Sequence, residues 1–167
     1  EIIKTRLPVT AKLGVIAFVV SMAVGITLGV ISALTNKQWV NSLITILATI
    51  GVSVPGFLLA MLMMILLAVN LKLLPVVGLE TPASYIMPVL ALSFSPISTI
   101  TRLTRSSLRD VMGSDFITLA RSKGTKESMV VIKHGLKNAL LPVITYAGPM
   151  FAGMITGSLV IETLFSI

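Results

Sequence analysis

The chain contains no cysteine and one histidine, and only 11% of its 167 residues are charged. Without cysteine it has no disulfide framework, no thiolate metal site and no cysteine nucleophile. Soluble domains carry about 25% charged residues, so the scarcity of charge argues against an ordinary soluble fold. Acidic residues number six, and none lies inside a long apolar run. Transport by proton relay would therefore lack its usual carrier.

Motifs for catalysis and for nucleotide binding are also missing. His134 lies in the basic run IKHGLKN, where a helix-surface role is more common than a role as metal ligand or base. No serine has a histidine or lysine partner at a credible spacing for a nucleophilic pair. The G-x-x-x-x-G-K-[ST] loop is absent, so this chain is not expected to bind ATP phosphates. We expect no catalytic residue, no metal and no cofactor bound by the chain.

Apolar residues are abundant, at 55% of the chain. About 20 of them in a helix cross a ~30 Å hydrocarbon core. The runs predict four spans, at about 13–34, 43–69, 85–101 and 139–161. The fold class is therefore all-α, a polytopic transmembrane bundle, with 1–167 forming a single transmembrane domain. The chain begins without Met and ends without a polar tail, so we interpret it as truncated at both ends.

Glycine and proline mark features inside these spans. Gly25 and Gly29 form a G-x-x-x-G pair, which predicts close helix approach, although glycines are also simply common in membrane helices. Gly153 and Gly157 form a second such pair. Pro55 lies within VSVPGF, and proline removes a backbone donor and clashes with the preceding turn. We therefore predict a kink near residue 54.

The net charge of +7 indicates orientation rather than nucleic-acid binding, because no aromatic residues interleave with the basic ones as an RNA-binding sheet would need. Lys37 and the cluster from Arg102 to Lys137 fall on one side of the predicted membrane. Basic residues collect in cytoplasmic loops, so the segment at about 102–138 is predicted to be cytoplasmic. Arginines 102, 105 and 109 recur at helical spacing, which predicts that the third helix continues past the membrane.

A short helix is predicted within this segment, from about Asp115 to Lys123. Ser114 or Asp115 can cap its start, and Gly124 can end it in the left-handed conformation. Two interpretations are open for the segment. It can lie on anionic headgroups, or it can be a docking helix whose apolar face enters a groove on a soluble partner. The residues of that predicted face are Phe116, Leu119 and Ala120, with Arg121 and Lys123 pointing elsewhere.

The run RLTRSSLRDVMGSDFITLARSKGTKESMVVIKHGLKNALLPVIT closely resembles the cytoplasmic loop of the permease subunits of ABC importers. It is most similar to the dipeptide and oligopeptide branch, which includes nickel and glutathione relatives. Ala120, Gly124, Leu141 and Pro142 match the EAA signature of that loop, while Thr118 and Leu119 replace its first two letters. GVSVPGF and GSLVIETLFS resemble the same family, so the likeness covers nearly the whole chain.

The resemblance implies the methionine- and maltose-importer permease fold and a place in a bacterial or archaeal cytoplasmic membrane, as a multi-pass protein in the lipid bilayer. It also implies a coupling helix that docks on an ATPase. The partners would be two ATP-binding-cassette subunits, which carry ATP and Mg²⁺, a second permease subunit forming a heterodimer, and an extracellular solute-binding protein. The residues implied to couple to the ATPase are Asp115, Phe116, Leu119, Ala120, Arg121, Lys123 and Gly124.

The translocation path is predicted to use the most polar span, with Ser93, Ser95, Ser98 and Thr99. The alternative is that these hydroxyls bond back to their own helix or join neighbouring helices. Two other function classes stay open: a stand-alone secondary transporter or channel, which also uses helices broken by proline and glycine, and a membrane-anchored scaffold.

Overall fold

In the computed structural model, which describes residues 2–75, 78–156 and 159–167, every regular element is helical. Two π-helical segments extend or join the α-helices, at Met64–Asn70 and Val130–Leu136, and a 3₁₀ turn occupies Pro82–Tyr85. The α-helices are α1 (Ile2–Leu34), α2 (Gln38–Ser53), α3 (Gly56–Met63), α4 (Ile86–Met112), α5 (Asp115–Ser122), α6 (Glu127–Met129), α7 (Lys137–Ala139), α8 (Leu141–Thr156) and α9 (Leu159–Leu164).

Three helical segments within the described residues are long and apolar enough to cross a membrane: Pro8–Leu34, Pro82–Met112 and Leu141–Leu164. A fourth crossing exists if α2 and the segment Gly56–Asn70, which are bent by 103° at the break between them, count as one span. The predicted class, an all-α transmembrane bundle, is confirmed.

The sharp bend follows directly from Pro55. Helix α2 ends at Ser53, and both Val54 and Pro55 have ψ angles outside the helical range, 120° and 136°. The Val54 N–H still donates to the Ile50 carbonyl at 2.9 Å, but proline has no N–H with which to continue the ladder. The predicted kink is confirmed at this position.

Helices α1 and α4 run parallel and touch backbone to backbone. A Cβ added to Gly25 would lie 2.7 Å from the Ile100 Cβ, and one added to Gly29 would lie 2.5 Å from the Thr104 Cβ. The Thr101 hydroxyl donates to the Gly25 carbonyl at 3.3 Å. The close approach predicted from the first G-x-x-x-G pair is therefore confirmed, because only glycine fits at both positions.

Helices α2 and α8 complete the packing around this central pair. Gly51 of α2 lies against the Ser98 side chain of α4, and Gly14 of α1 lies against the backbone of Met154 in α8. The second G-x-x-x-G pair behaves differently: nothing lies within 4 Å of a Cβ added to Gly153, and Gly157 is outside the described residues. Its close approach to another helix stays a prediction.

Helix α4 continues through its arginines as one helix of 27 residues, as the arginine spacing predicted. The first part of the segment predicted as a loop at 102–138 is therefore the end of α4. Helix α5 begins only two residues after α4 ends, and the chain then returns through α6, the second π segment and α7 to α8. This arrangement places α5 at the end of the bundle where the arginines of α4 lie, tied to α4 on one side and to α8 on the other.

Candidate functional site

Helix α5 begins at Asp115, as predicted, but its start is not capped as expected. Ser114 is in the extended region, with φ −81° and ψ 157°, which suits an N-cap residue. Its hydroxyl, however, donates backwards to the Val111 carbonyl at 2.6 Å and makes no capping bond to α5. The carboxylate of Asp115 in the first turn still favours this end of the helix dipole. The Ser114 side chain therefore closes the turn after α4.

Gly124 ends the helix in the left-handed conformation, as predicted, with φ +77°. The Gly124 N–H donates to the Arg121 carbonyl at 2.9 Å, and the Thr125 N–H donates to the Ala120 carbonyl at 3.3 Å. These two bonds form a Schellman motif, which satisfies carbonyls that the last turn would leave unpaired. A residue with a Cβ would be strained here by about 1–2 kcal/mol.

The underside of α5 packs on a small core of its own. Ile117 is completely buried and Ala120 is 9% exposed, and both pack against Val130 with support from Val111 and Met112. An eight-residue helix is too short to be stable alone in water, so this contact fixes α5 to α4 and to the second π segment.

The face predicted as the docking surface is therefore divided. Phe116 and Leu119 point outward, with 45% and 56% of their surface exposed. Ala120 points inward, so its predicted place in an outward docking contact is wrong. The error has a physical cause, because α5 carries apolar residues at four of its first six positions and its periodicity alone does not choose the inner side. Ile117, which the sequence analysis missed, takes the inward position.

Arg121 is engaged within the chain. Its guanidinium donates to both carboxylate oxygens of Glu127, with N–O distances of 2.6 and 3.1 Å. This bond lowers the pKa of Glu127 and raises that of Arg121. The pair joins the end of α5 to the start of α6 across the turn that contains Gly124, while Lys123 on that turn is exposed. Glu127 was not singled out from the sequence, although a base six residues before an acid across a glycine turn is a usable signal.

Gly135, in the middle of the second π segment, gives this region its second contact with α4. A Cβ added there would lie 2.8 Å from the Met112 sulfur and 3.4 Å from the Leu108 Cδ1. Leu108 is fully buried. The π segment therefore lies directly on the end of α4, and it continues through α7 into α8.

The hydroxyls predicted to line the translocation path mostly bond to their own helix. Ser93 donates to the Leu90 carbonyl at 3.3 Å, Ser98 to that of Phe94 at 3.0 Å, and Thr99 to that of Ser95 at 3.2 Å. Ser93 and Ser98 are buried, while Ser95 and Thr99 are half-buried. These bonds are the ones expected under the alternative interpretation, and the path role of the four residues stays a prediction.

No cluster of three or more metal-ligating side chains occurs in the part of the chain that the structure describes. His134 is half-buried in the second π segment. The arrangement offers a braced helix with an exposed apolar ridge, Phe116 and Leu119, which can bind a groove on another protein.

Comparison with known proteins identifies similar chains. Residues 25–167 match the family described as "Binding-protein-dependent transport system inner membrane component". The dipeptide transport system permease protein DppB of Lactococcus lactis subsp. cremoris is 42% identical over 165 residues, which cover 99% of this chain and 54% of that protein. The Bacillus subtilis DppB is 40% identical over the whole chain and 54% of its own length.

A third relative is the oligopeptide transport system permease protein OppB of Salmonella typhimurium, which is 41% identical over 170 residues and matched over 55% of its length. The chain thus spans about half the length of the curated relatives it matches.

Proposed function

Because the chain belongs to the family of binding-protein-dependent transport system inner membrane components, we propose that it forms part of the permease of an ATP-binding-cassette importer and that α5 couples this permease to an ATPase subunit. The observation that carries the proposal is the geometry of α5. The helix is fixed on its inner side by Ile117 and Ala120, and it presents Phe116 and Leu119 on its exposed side, at the end of the bundle that we propose to be cytoplasmic.

The transported solute is proposed to be a peptide. The relatives matched over the whole chain are named as dipeptide and oligopeptide permeases, and the likeness extends across the spans as well as the cytoplasmic segment. Ser95 and Thr99, the two half-buried hydroxyls of the most polar span, are the path residues with side chains accessible from outside the core.

In the proposed mechanism, α5 moves as a rigid unit. ATP and Mg²⁺ bind the partner ATPase subunits, and closure of those subunits displaces α5. Only Gly113 and Ser114 separate α5 from α4, and α5 packs on Val130 through Ile117 and Ala120. The movement therefore passes to the membrane helices as a rigid-body rotation. The helices then alternate between inward and outward openings.

The charges near α5 contribute orientation rather than most of the affinity. Arg121 is already paired with Glu127, so the exposed Lys123 is the better candidate to face an acidic partner. The assembly is proposed to contain two ATPase subunits, a second permease subunit and an extracellular binding protein, in a bacterial inner membrane. This chain supplies no catalytic group to ATP hydrolysis.

A stand-alone transporter or channel is the alternative. The family description names a binding-protein-dependent system, which disfavours it. The two functions differ in one measurable way, because a stand-alone transporter carries its solute without any ATPase partner.

The test uses the full-length permease expressed with its partner subunits. Leu119→Glu places a charge on the exposed ridge without disturbing the inner side of α5. Ile132→Glu is the matched control, since Ile132 is 65% exposed and lies on the second π segment rather than on α5. Ala120→Glu is unsuitable for this test, because it would bury a charge in the small core of Ile117, Ala120 and Val130 and disrupt that core.

The expected result is that Leu119→Glu weakens ATPase co-purification by about 30-fold or more, as for a central interface residue, and abolishes substrate-stimulated ATP hydrolysis. Ile132→Glu should retain both. Normal ATPase binding and uptake in Leu119→Glu would refute docking through α5, and uptake by the permease without any ATPase would establish the alternative.

A further inference from the structure

Two adjoining cavities lie among α1, α2 and α4, away from α5. The first, called here the cationic cavity, has a volume of about 280 Å³. The second, the apolar cavity, has a volume of about 210 Å³. Ile44, Ala48 and Thr101 line both, so the cavities share a wall. The other main residues of the cationic cavity are Ser32, Thr45, Thr49, Arg102, Arg105 and Ser106. Those of the apolar cavity are Leu28, Leu47, Phe94 and Ile97, together with the hydroxyl-bearing Ser98.

The cationic cavity contains two arginines and no acidic residue. Among the described residues neither arginine forms a salt bridge, and the buried Nε of Arg105 has no hydrogen-bond partner. A buried N–H without an acceptor costs free energy, and the neighbouring charge of Arg109 adds to that cost. An anion that supplies oxygen acceptors would offset both.

The two cavities lie at different depths. From Ile97 to Arg105 is eight residues of continuous helix, or about 12 Å along α4. In the proposed orientation, with the arginine end of α4 on the cytoplasmic side, the cationic cavity lies at headgroup depth and the apolar cavity lies in the hydrocarbon. Basic pockets between spans on the cytoplasmic side are suited to anionic lipid headgroups.

We propose that these cavities bind one anionic phospholipid of the cytoplasmic leaflet. Its phosphate accepts hydrogen bonds from Arg102 and Arg105, and an acyl chain occupies the apolar cavity against Phe94 and Ile97. A free phosphate would pair with the arginines but leave the apolar cavity empty. A peptide offers both a carboxylate and apolar side chains, so displacement by a dipeptide is one of the outcomes of the test below. The proposal depends on the proposed orientation but does not depend on coupling through α5.

The experiment measures lipid retained by the full-length permease in its complex. The complex is equilibrated in phosphatidylcholine nanodiscs containing a minor fraction of phosphatidylglycerol, and native mass spectrometry counts the phosphatidylglycerol that survives release. The double variant Arg102→Gln/Arg105→Gln should retain it roughly fivefold less tightly for each arginine removed. Lys133→Gln is the matched control, because Lys133 is exposed, lies on the second π segment and lines neither cavity.

A second variant tests the tail independently of charge. Ala48→Leu fills the wall shared by the two cavities while both arginines remain, and it should also lower retention. Arg105→Lys keeps a positive charge and should recover part of the loss seen in Arg105→Gln, which separates a charge effect from misfolding. Added inorganic phosphate or a dipeptide should not displace the lipid.

Three results would overturn the proposal. One is unchanged retention in the double arginine variant. Another is an equal loss in Lys133→Gln, which would indicate only general attraction to anionic headgroups. The third is displacement by phosphate or by the dipeptide, which would assign the arginines to a soluble anion. Leu119→Glu should retain the lipid normally, so failure of ATPase docking and failure of this proposal give different results.

Discussion

Replacing Ile117 by alanine tests whether the small core of Ile117, Ala120 and Val130 holds α5 in place. The Ile117 side chain is completely buried against Val130, and truncating a core isoleucine to alanine costs about 2–5 kcal/mol. An isolated eight-residue helix is not stable, so this free energy comes almost entirely from the docking of α5. The undocked population should therefore rise at least about 30-fold, since every 1.4 kcal/mol is a factor of ten.

The assay is amide hydrogen exchange of the segment 115–122 in the full-length permease in nanodiscs. Ile117→Ala should accelerate exchange by about the same factor. Leu119→Ala serves as the control, because 56% of the Leu119 surface is exposed and its truncation removes little internal packing. Exchange should change by less than about threefold in that variant.

The two variants should also distinguish the packing of α5 within this chain from the docking of α5 on the ATPase subunit. Both should reduce ATP-coupled uptake, but only Ile117→Ala should loosen α5. Two results would show that the core of Ile117, Ala120 and Val130 does not fix α5: exchange in Ile117→Ala that matches the wild type, or equal acceleration in Leu119→Ala. Either result would refute the proposed mechanism, in which α5 moves as a rigid unit.

Two further outcomes follow from the packing and the ion pair. Gly29→Ala should lower the thermal denaturation midpoint of the full-length permease, because a Cβ there lies 2.5 Å from the Thr104 Cβ and overpacking costs about 1–3 kcal/mol. Gly148→Ala, with open space around it, should not lower it. Glu127→Gln should increase proteolysis at the α5–α6 turn. Arg121 lowers the pKa of Glu127, so the pair contributes stability above the ordinary value of 4.5 and loses it as the pH falls through the lowered pKa. The difference between Glu127→Gln and the wild type should therefore disappear at acid pH, and a difference that persists there would refute the ion-pair explanation.

Features that depend on one residue's backbone were predictable from the sequence. Pro55 has no N–H, Gly124 accepts a positive φ, and Gly29 has no Cβ, so the kink, the end of α5 and the close α1–α4 contact all follow from local chemistry. The continuation of α4 through its arginines followed in the same way from helical spacing. The family resemblance was confirmed because it rested on long, specific runs of residues.

Features that depend on three-dimensional neighbours were not predictable. The inward turn of Ala120 is decided by Val130 and by the end of α4, and α5 is apolar on too many sides for periodicity to reveal it. The Ser114 hydroxyl had two possible partners, an N–H of α5 from which it would accept and the Val111 carbonyl to which it donates, and the position of Val111 decided between them. The cationic cavity joins residues of α1, α2 and α4 that lie far apart in the chain, so no single motif contains it.

The π-helical segment Val130–Leu136 has a consequence for how the family can vary in length. A π turn closes its hydrogen bonds one residue further along than an α-helix does, so it holds one residue more than the α-helical register needs. Deleting one residue there would let the segment close as an ordinary α-helix, while the helices before and after it keep the sides that they present to the rest of the bundle. This segment can therefore lose one residue without turning α8 relative to α1.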